Sequence, residues 1–150
     1  MNQLNKSNYR KIMKYSVSII IFLMISSSLI ASILQDPQPK PVIKTINTSE
    51  SAALIKKNLK NKNFVIIDVR TPAEYADGHL ANATNIDFKA TDFADKVGKL
   101  DKSKTYLVYC HSGHRSASAV EIMKTQSFQT LYNLDGGITQ WTTDKNPVVK

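Results

Sequence analysis

Cysteine is nearly absent from this chain of 150 residues, which holds one, Cys110. A lone cysteine excludes an intramolecular disulfide framework and a cysteine-clustered zinc site. Glycine and proline are scarce, five of each, which excludes collagen-like and Gly/Pro-rich low-complexity classes. Apolar residues at 42% and charged residues at 21% exclude wholesale disorder. The length suits one compact domain with an appendage. Acidic residues are missing from the first 34 positions, which carry Lys6, Arg10, Lys11 and Lys14. Half of the net charge of +8 therefore belongs to that segment. The lysines left to the domain are scattered without interleaved aromatics, so they read as a solvated surface and no nucleic-acid partner is expected.

Behind those four basic residues, positions 17–34 contain no charge and are interrupted only by serines. The run is at the lower limit for crossing a hydrocarbon core, and its stricter apolar block, Val17 to Ile25, fits a secretory h-region. Residues 1–34 are thus expected to be a signal peptide or an N-terminal membrane anchor. Cleavage and retention both stay open, because Ser26-Ser27-Ser28 supplies small residues without an A-x-A site; a buried core helix is the remaining alternative. The positive flank keeps the N-terminus cytoplasmic and sends the domain across the membrane, so a periplasmic or secreted location is expected, with a membrane tether if the segment is kept. Residues 35–41, QDPQPKP, read as a proline-rich linker. A globular domain is expected over residues 42–146.

Within it, strand and helix signals alternate. Strands are predicted at Val42 to Ile46, Phe64 to Val69, Ala83 to Ile86, Thr105 to Tyr109 and Thr130 to Leu134, two of them continuous apolar runs of the kind buried on both faces. Helices are predicted from a cap at Thr48 or Ser49 to about Asn58, over Ala73 to Asp77 behind Thr71-Pro72, and over Phe93 to Leu100. Two more are predicted over Ser116 to Gln126 and Ile138 to Thr143, the last behind a tight turn at Gly136-Gly137. The alternation implies an α/β domain with a mainly parallel sheet.

The chemistry concentrates between TYLVY and SASAVEIMKTQ, in the loop Cys110-His111-Ser112-Gly113-His114-Arg115. A loop leading from a parallel strand into a helix aims several backbone N–H groups and the positive helix end at one point. Those groups and Arg115 favour a thiolate, so the Cys110 pKa is expected to be depressed. Gly113 suits an anion-cradling turn because it tolerates positive φ. The alternative for Cys110 is a small buried hydrophobe at a strand end.

The segments VIIDVRTPAEYADGHLANATNID, YLVYCHSGHRSASAV and LDGGITQW resemble, in order and spacing, the three signature regions of single-domain rhodaneses, a family of sulfurtransferases. The resemblance implies a three-layer α/β fold around a five-stranded parallel sheet flanked by helices. It also implies no organic cofactor, and a Cys110 that accepts sulfane sulfur as a persulfide. By the same matching, His111, Ser112, Gly113, His114 and Arg115 form the anion pocket for a small donor such as thiosulfate. A thiol or cyanide is the expected acceptor, and a protein acceptor is an open alternative.

Asp68, Arg70 and Ser116 are candidates for a supporting part. Asp68 and Arg70 are read as structural, with Arg70 pairing Glu74. His79 is expected to hydrogen-bond backbone, and Tyr75 and Trp141 to be core aromatics. His111 and His114 without a third ligand make a weak metal site, and no metal is expected. Two other readings compete with sulfur transfer. One is a module whose Cys110 carries sulfur for a partner without turnover. The other, a phosphatase or arsenate reductase, is disfavoured because four residues separate Cys110 from Arg115, where phosphatases of related topology use a loop one residue longer.

Overall fold

The computed structural model describes residues 40–150 and, apart from them, Met13. The expected leader or anchor and most of the expected linker lie outside the described residues. Among the described residues no helix is long and apolar enough to cross a membrane.

Residues Lys40–Lys150 form one compact unit. Five strands, β1 (Val42–Ile46), β2 (Phe64–Asp68), β3 (Ala83–Asn85), β4 (Thr105–Tyr109) and β5 (Thr130–Leu134), alternate with α1 (Thr48–Lys57), α2 (Pro72–Asp77), α3 (Phe93–Gly98), α4 (His114–Thr125) and α5 (Gly137–Thr143). The strands lie in the order β1-β5-β4-β2-β3 and every pairing is parallel. The register aligns Val42 with Thr130, Thr130 with Thr105, and Thr105 with Phe64, so four strands start at one pole. The connections that follow them gather at the other pole.

Side-chain alternation builds a core on each face of the sheet. Ile67, Val108, Leu131 and Cys110 face Phe93 and Val97 of α3 and Ala119 and Met123 of α4. Ile66, Leu107 and Leu134 face Ile138 and Trp141 of α5, with Ala52 and Ile55 of α1 packed alongside. The three-layer arrangement with five strands is the one the strand–helix alternation and the resemblance predicted.

β2, β3 and α3 end one or two residues sooner than expected, and other local features also differ. The cap of α1 is Asn47, not Thr48 or Ser49: its side chain accepts from the Glu50 amide at 2.9 Å, and the Glu50 carboxylate accepts from the Asn47 amide at 3.0 Å. Glu50 three residues after Asn47 completes this reciprocal pair, while Thr48 is buried with its hydroxyl donating to Asp144. The fold also continues past Asn146. The Trp141 indole donates to the Pro147 carbonyl at 2.9 Å, and His79 and Val149 exchange two backbone bonds of 2.9 Å.

Candidate active site

Strands β2 and β4 are neighbours, yet α2 leaves β2 over one face of the sheet and α4 leaves β4 over the other. The crevice between their carboxyl ends is where ligands bind in open parallel sheets. Cys110 stands there as the first residue after β4, in step with Tyr106 and Val108, so its side chain turns toward α4.

Helix α4 starts at His114, two residues earlier than expected, which places Arg115 and Ser116 in its first turn. Gly113 caps it with φ of 93°, in the left-handed region, and a Cβ there would lie 3.3 Å from the Gly136 amide nitrogen. The Gly113 N–H points at the Cys110 Sγ from 3.1 Å, and the buried Ser116 hydroxyl lies 3.5 Å from the same sulfur. Burial, with Cys110 only 1% exposed, pushes the thiol up. The Ser116 hydroxyl and amide and the Ser112 and Gly113 amides outweigh it, so the pKa lies below that of an ordinary cysteine. The expected depression is present, with Ser116 the leading stabilising group.

The loop is held from behind by the N-terminus of α5. Ile138 N–H donates to the Cys110 carbonyl at 2.8 Å, and Thr139 reaches the His111 carbonyl with its N–H at 3.1 Å and its hydroxyl at 2.8 Å. This approach requires Gly137: a Cβ there would stand 2.4 Å from the Cys110 carbonyl oxygen and 2.6 Å from that of His111. Turning both carbonyls backward leaves amide hydrogens facing the sulfur.

Charge pairing departs from expectation. Arg70 does not pair Glu74. Its Nε bonds both oxygens of the buried Asp68, at 3.1 and 3.0 Å, and its Nη2 reaches Asp68 at 2.7 Å and the Gly78 carbonyl at 2.6 Å. Two residues apart leaving a strand, the Asp68 and Arg70 side chains share one side. Glu74 sits at the third position of α2, in a reciprocal cap with Thr71 that aims its carboxylate across the crevice. Arg115 meets it there with two parallel bonds of 2.9 and 2.7 Å. The Arg115 hydrogen bonds, ahead of the opposing effect of desolvation, hold Glu74 well below the usual carboxylate range, and Glu74 in turn raises Arg115. The Arg115 fork therefore braces α2 against α4, while its charge also acts on Cys110. Below it, burial and then Asp68 push the Tyr109 phenol far up, and its oxygen accepts from the Leu80 amide at 3.1 Å.

The remaining loop side chains, His111, Ser112 and His114, are exposed around the mouth. Among the described residues no group of three or more His, Cys, Asp or Glu is placed to hold a metal. His79 stacks on Tyr75 at 3.8 Å with Nδ1 3.1 Å from the Tyr75 carbonyl oxygen, and Trp141 is buried, as expected. The sequence reading missed Glu74 as the partner of Arg115 and missed Gly137 and Thr139 as supports of the loop. The T-x-x-E spacing of Thr71 and Glu74 signalled a cap; nothing local signalled what the carboxylate would face.

Comparison with known proteins places these features in context. The sequence profile of the Rhodanese-like domain matches residues 51–144. A thiosulfate sulfurtransferase, GlpE, from Coxiella burnetii (strain RSA 331 / Henzerling II) is 35% identical over 99 residues, covering 65% of this chain and 86% of the relative. The crystal structure of a rhodanese-related protein from Thermoplasma volcanium superposes with a TM-score of 0.59 at 32% identity, covering 71% of this chain and 97% of that one. A rhodanese-like domain protein from Staphylococcus aureus superposes with a TM-score of 0.55 at 34% identity, covering 65% and 90% of the two chains.

Proposed function

This chain belongs to the Rhodanese-like domain family, and from that premise we propose that it is a sulfurtransferase working through a Cys110 persulfide. The observation that carries the mechanism is the cradle around the sulfur, with the Gly113 amide at 3.1 Å, the Ser116 hydroxyl at 3.5 Å and a thiol pKa below the ordinary value. Such a cradle stabilises a thiolate and equally the terminal anionic sulfur of a persulfide.

The Cys110 thiolate attacks the terminal sulfur of a small anionic donor such as thiosulfate. A new S–S bond forms to Sγ, the donor's S–S bond breaks, and its electron pair leaves with sulfite. An acceptor, cyanide or a thiolate, then attacks the outer sulfur. The Cys110 S–S bond breaks and its electron pair returns to Sγ. No electrons are gained or lost overall, and no organic cofactor is required. With one cysteine in the chain the persulfide has no internal thiol to resolve it, so the acceptor comes from outside, as a small molecule or as a thiol on a partner protein.

The proposal extends to location. Four basic residues precede the uncharged run of residues 17–34, which supports a domain delivered to the periplasm or exterior, released or tethered. External protease should degrade the domain while the cytoplasmic membrane is intact, and complete protection would overturn that placement.

Intact mass after incubation with thiosulfate tests the chemistry. The chain should gain one sulfur atom, Cys110→Ser should gain none, and adding cyanide should remove the gain while releasing thiocyanate. Sulfur loading followed by no release to cyanide or small thiols would favour the carrier module over turnover. Aryl-phosphate hydrolysis measured in parallel should be negligible. Transfer retained by Cys110→Ser, or Cys110-dependent phosphatase turnover without sulfur loading, would defeat the proposal.

A further inference from the structure

The pole opposite Cys110 carries an unusual share of the positive charge. Lys56 and Lys57 end α1, and Lys60 and Lys62 follow in its connection to β2. Lys102 and Lys104 lie in the turn before β4, and Lys99 closes α3. These segments meet because the strands start in one row: the Thr105 amide donates to the Asn63 carbonyl at 2.9 Å, and the Gln129 amide to the Lys102 carbonyl at 3.0 Å. Lys40 enters beside them, since the Val42 amide donates to the Gln129 carbonyl at 2.8 Å. Against this stand Asp101, beside Lys104, and Glu121, already engaged by Lys124 at 3.1 Å. At the Cys110 pole the balance differs, with Glu50, Asp87, Asp92 and Asp135 set against Lys89 and against Lys96, which pairs Asp92 at 3.0 Å.

Amid the lysines, between Lys57 and Lys60, stands Leu59, 67% exposed. An apolar side chain ringed by flexible cations matches a lipid interface, where the ammonium groups meet headgroup phosphates and the leucine reaches the acyl boundary. Nucleic-acid platforms instead present aromatic faces for stacking; of the aromatics nearest this pole, Tyr106 and Phe128 are buried and Phe64 is half-buried, packed against the core beside Ile66 and Leu107. Chain connection adds to the argument. Lys40 follows Leu34, the end of the uncharged run expected to be a signal peptide or anchor, by six residues of sequence.

We propose that this basic pole docks on a membrane surface rich in anionic phospholipid, Leu59 inserting among the headgroups, with the Cys110 crevice facing away from the bilayer. The docking is independent of the sulfur-transfer reading. It would give the unit a fixed orientation, leaving the crevice open to soluble donors and acceptors.

A reporter at position 59 tests it. The full chain carrying Cys110→Ser and Leu59→Cys is labelled with a polarity-sensitive fluorophore and mixed with vesicles of equimolar phosphatidylglycerol and phosphatidylcholine, or of phosphatidylcholine alone. Emission should shift to the blue with the anionic vesicles only, and high salt should reverse it. A label at Lys89→Cys, on the opposite pole, should not respond. Each lysine near an anionic surface favours docking about fivefold, so adding Lys60→Glu and Lys62→Glu should lower the binding constant for the anionic vesicles, read from a lipid titration, at least about twenty-five-fold. An equal shift with neutral vesicles, no shift with anionic ones, or a shift produced instead by a single-stranded oligonucleotide at physiological salt would overturn the proposal.

Discussion

The Ser116 hydroxyl has one proton and two acceptors within reach, the Cys110 Sγ at 3.5 Å and the Gly113 carbonyl oxygen at 3.0 Å. When Cys110 is a neutral thiol the hydroxyl serves the carbonyl. When Cys110 ionises, turning toward the sulfur stabilises the anion. Ser116→Ala removes the second option while leaving the first group satisfied, because the Ala117 amide still donates to the Gly113 carbonyl at 3.0 Å. The substitution therefore acts mainly on ionisation. A net hydrogen-bond contribution of roughly 0.5–1.5 kcal/mol corresponds to a rise in the Cys110 pKa of about 0.4–1.1 units. Thiolate nucleophilicity rises with pKa and offsets nearly half of this. For a rise of about 0.7 units, alkylation by iodoacetamide should slow about twofold at pH values below both pKa values and quicken about twofold on the alkaline plateau. The two rate–pH curves should cross. The assay is unambiguous because the chain has a single thiol. An unchanged midpoint in Ser116→Ala, with the fold intact by circular dichroism, would refute the assignment of Ser116 as the leading stabiliser and leave the amides to account for the depressed pKa.

Gly137→Ala would force a methyl against the Cys110 and His111 carbonyls at a residue with φ of 56°; urea unfolding should show a loss of at least about 2 kcal/mol, and Cys110 should lose its reactivity at neutral pH. Asp68→Ala strands the Arg70 guanidinium in the interior and should destabilise by about 3–5 kcal/mol; a loss below about 1 kcal/mol would show that the Gly78 carbonyl suffices. Glu74→Gln weakens the brace to Arg115. The folded-state pKa of Glu74 lies below its ordinary value, so the ion pair stabilises fully above that value and progressively less as pH falls through the acid range. The stability gap between the parent and Glu74→Gln, about 1 kcal/mol for a half-buried pair still screened by solvent, should therefore be largest near neutrality and narrow under acid; a gap that widened under acid would contradict the pairing.

What the sequence determined by itself was everything written in short-range pattern. Continuous apolar runs located β4 to the residue and β2 to within one residue of its end, because a strand buried on both faces needs its apolar residues in one unbroken stretch. Thr71-Pro72 marked the start of α2, since a hydroxyl cap and a proline in the first turn act on the next few amides alone. The loop from Cys110 to Arg115 pointed to a thiol of depressed pKa because its amides and its glycine are contiguous in the chain, while the part of the Ser116 hydroxyl emerged only from the structure. Tertiary structure decided what depends on which ends converge. Thr48 read as a cap until burial against Asp144 took its hydroxyl and left Asn47 to begin the helix. Arg70 had Glu74 four residues away, yet chose Asp68, because leaving a strand puts alternate side chains together. Arg115 found Glu74 across 41 positions of sequence, where crossover connections on opposite faces bring the first turns of two helices over one crevice. Gly137 looked like half of a tight turn, and only the packing of α5 against the Cys110 loop made its missing side chain a condition of the site. Hydrogen-bond and charge partners are chosen by distance in space, which periodicity and capping signals do not encode.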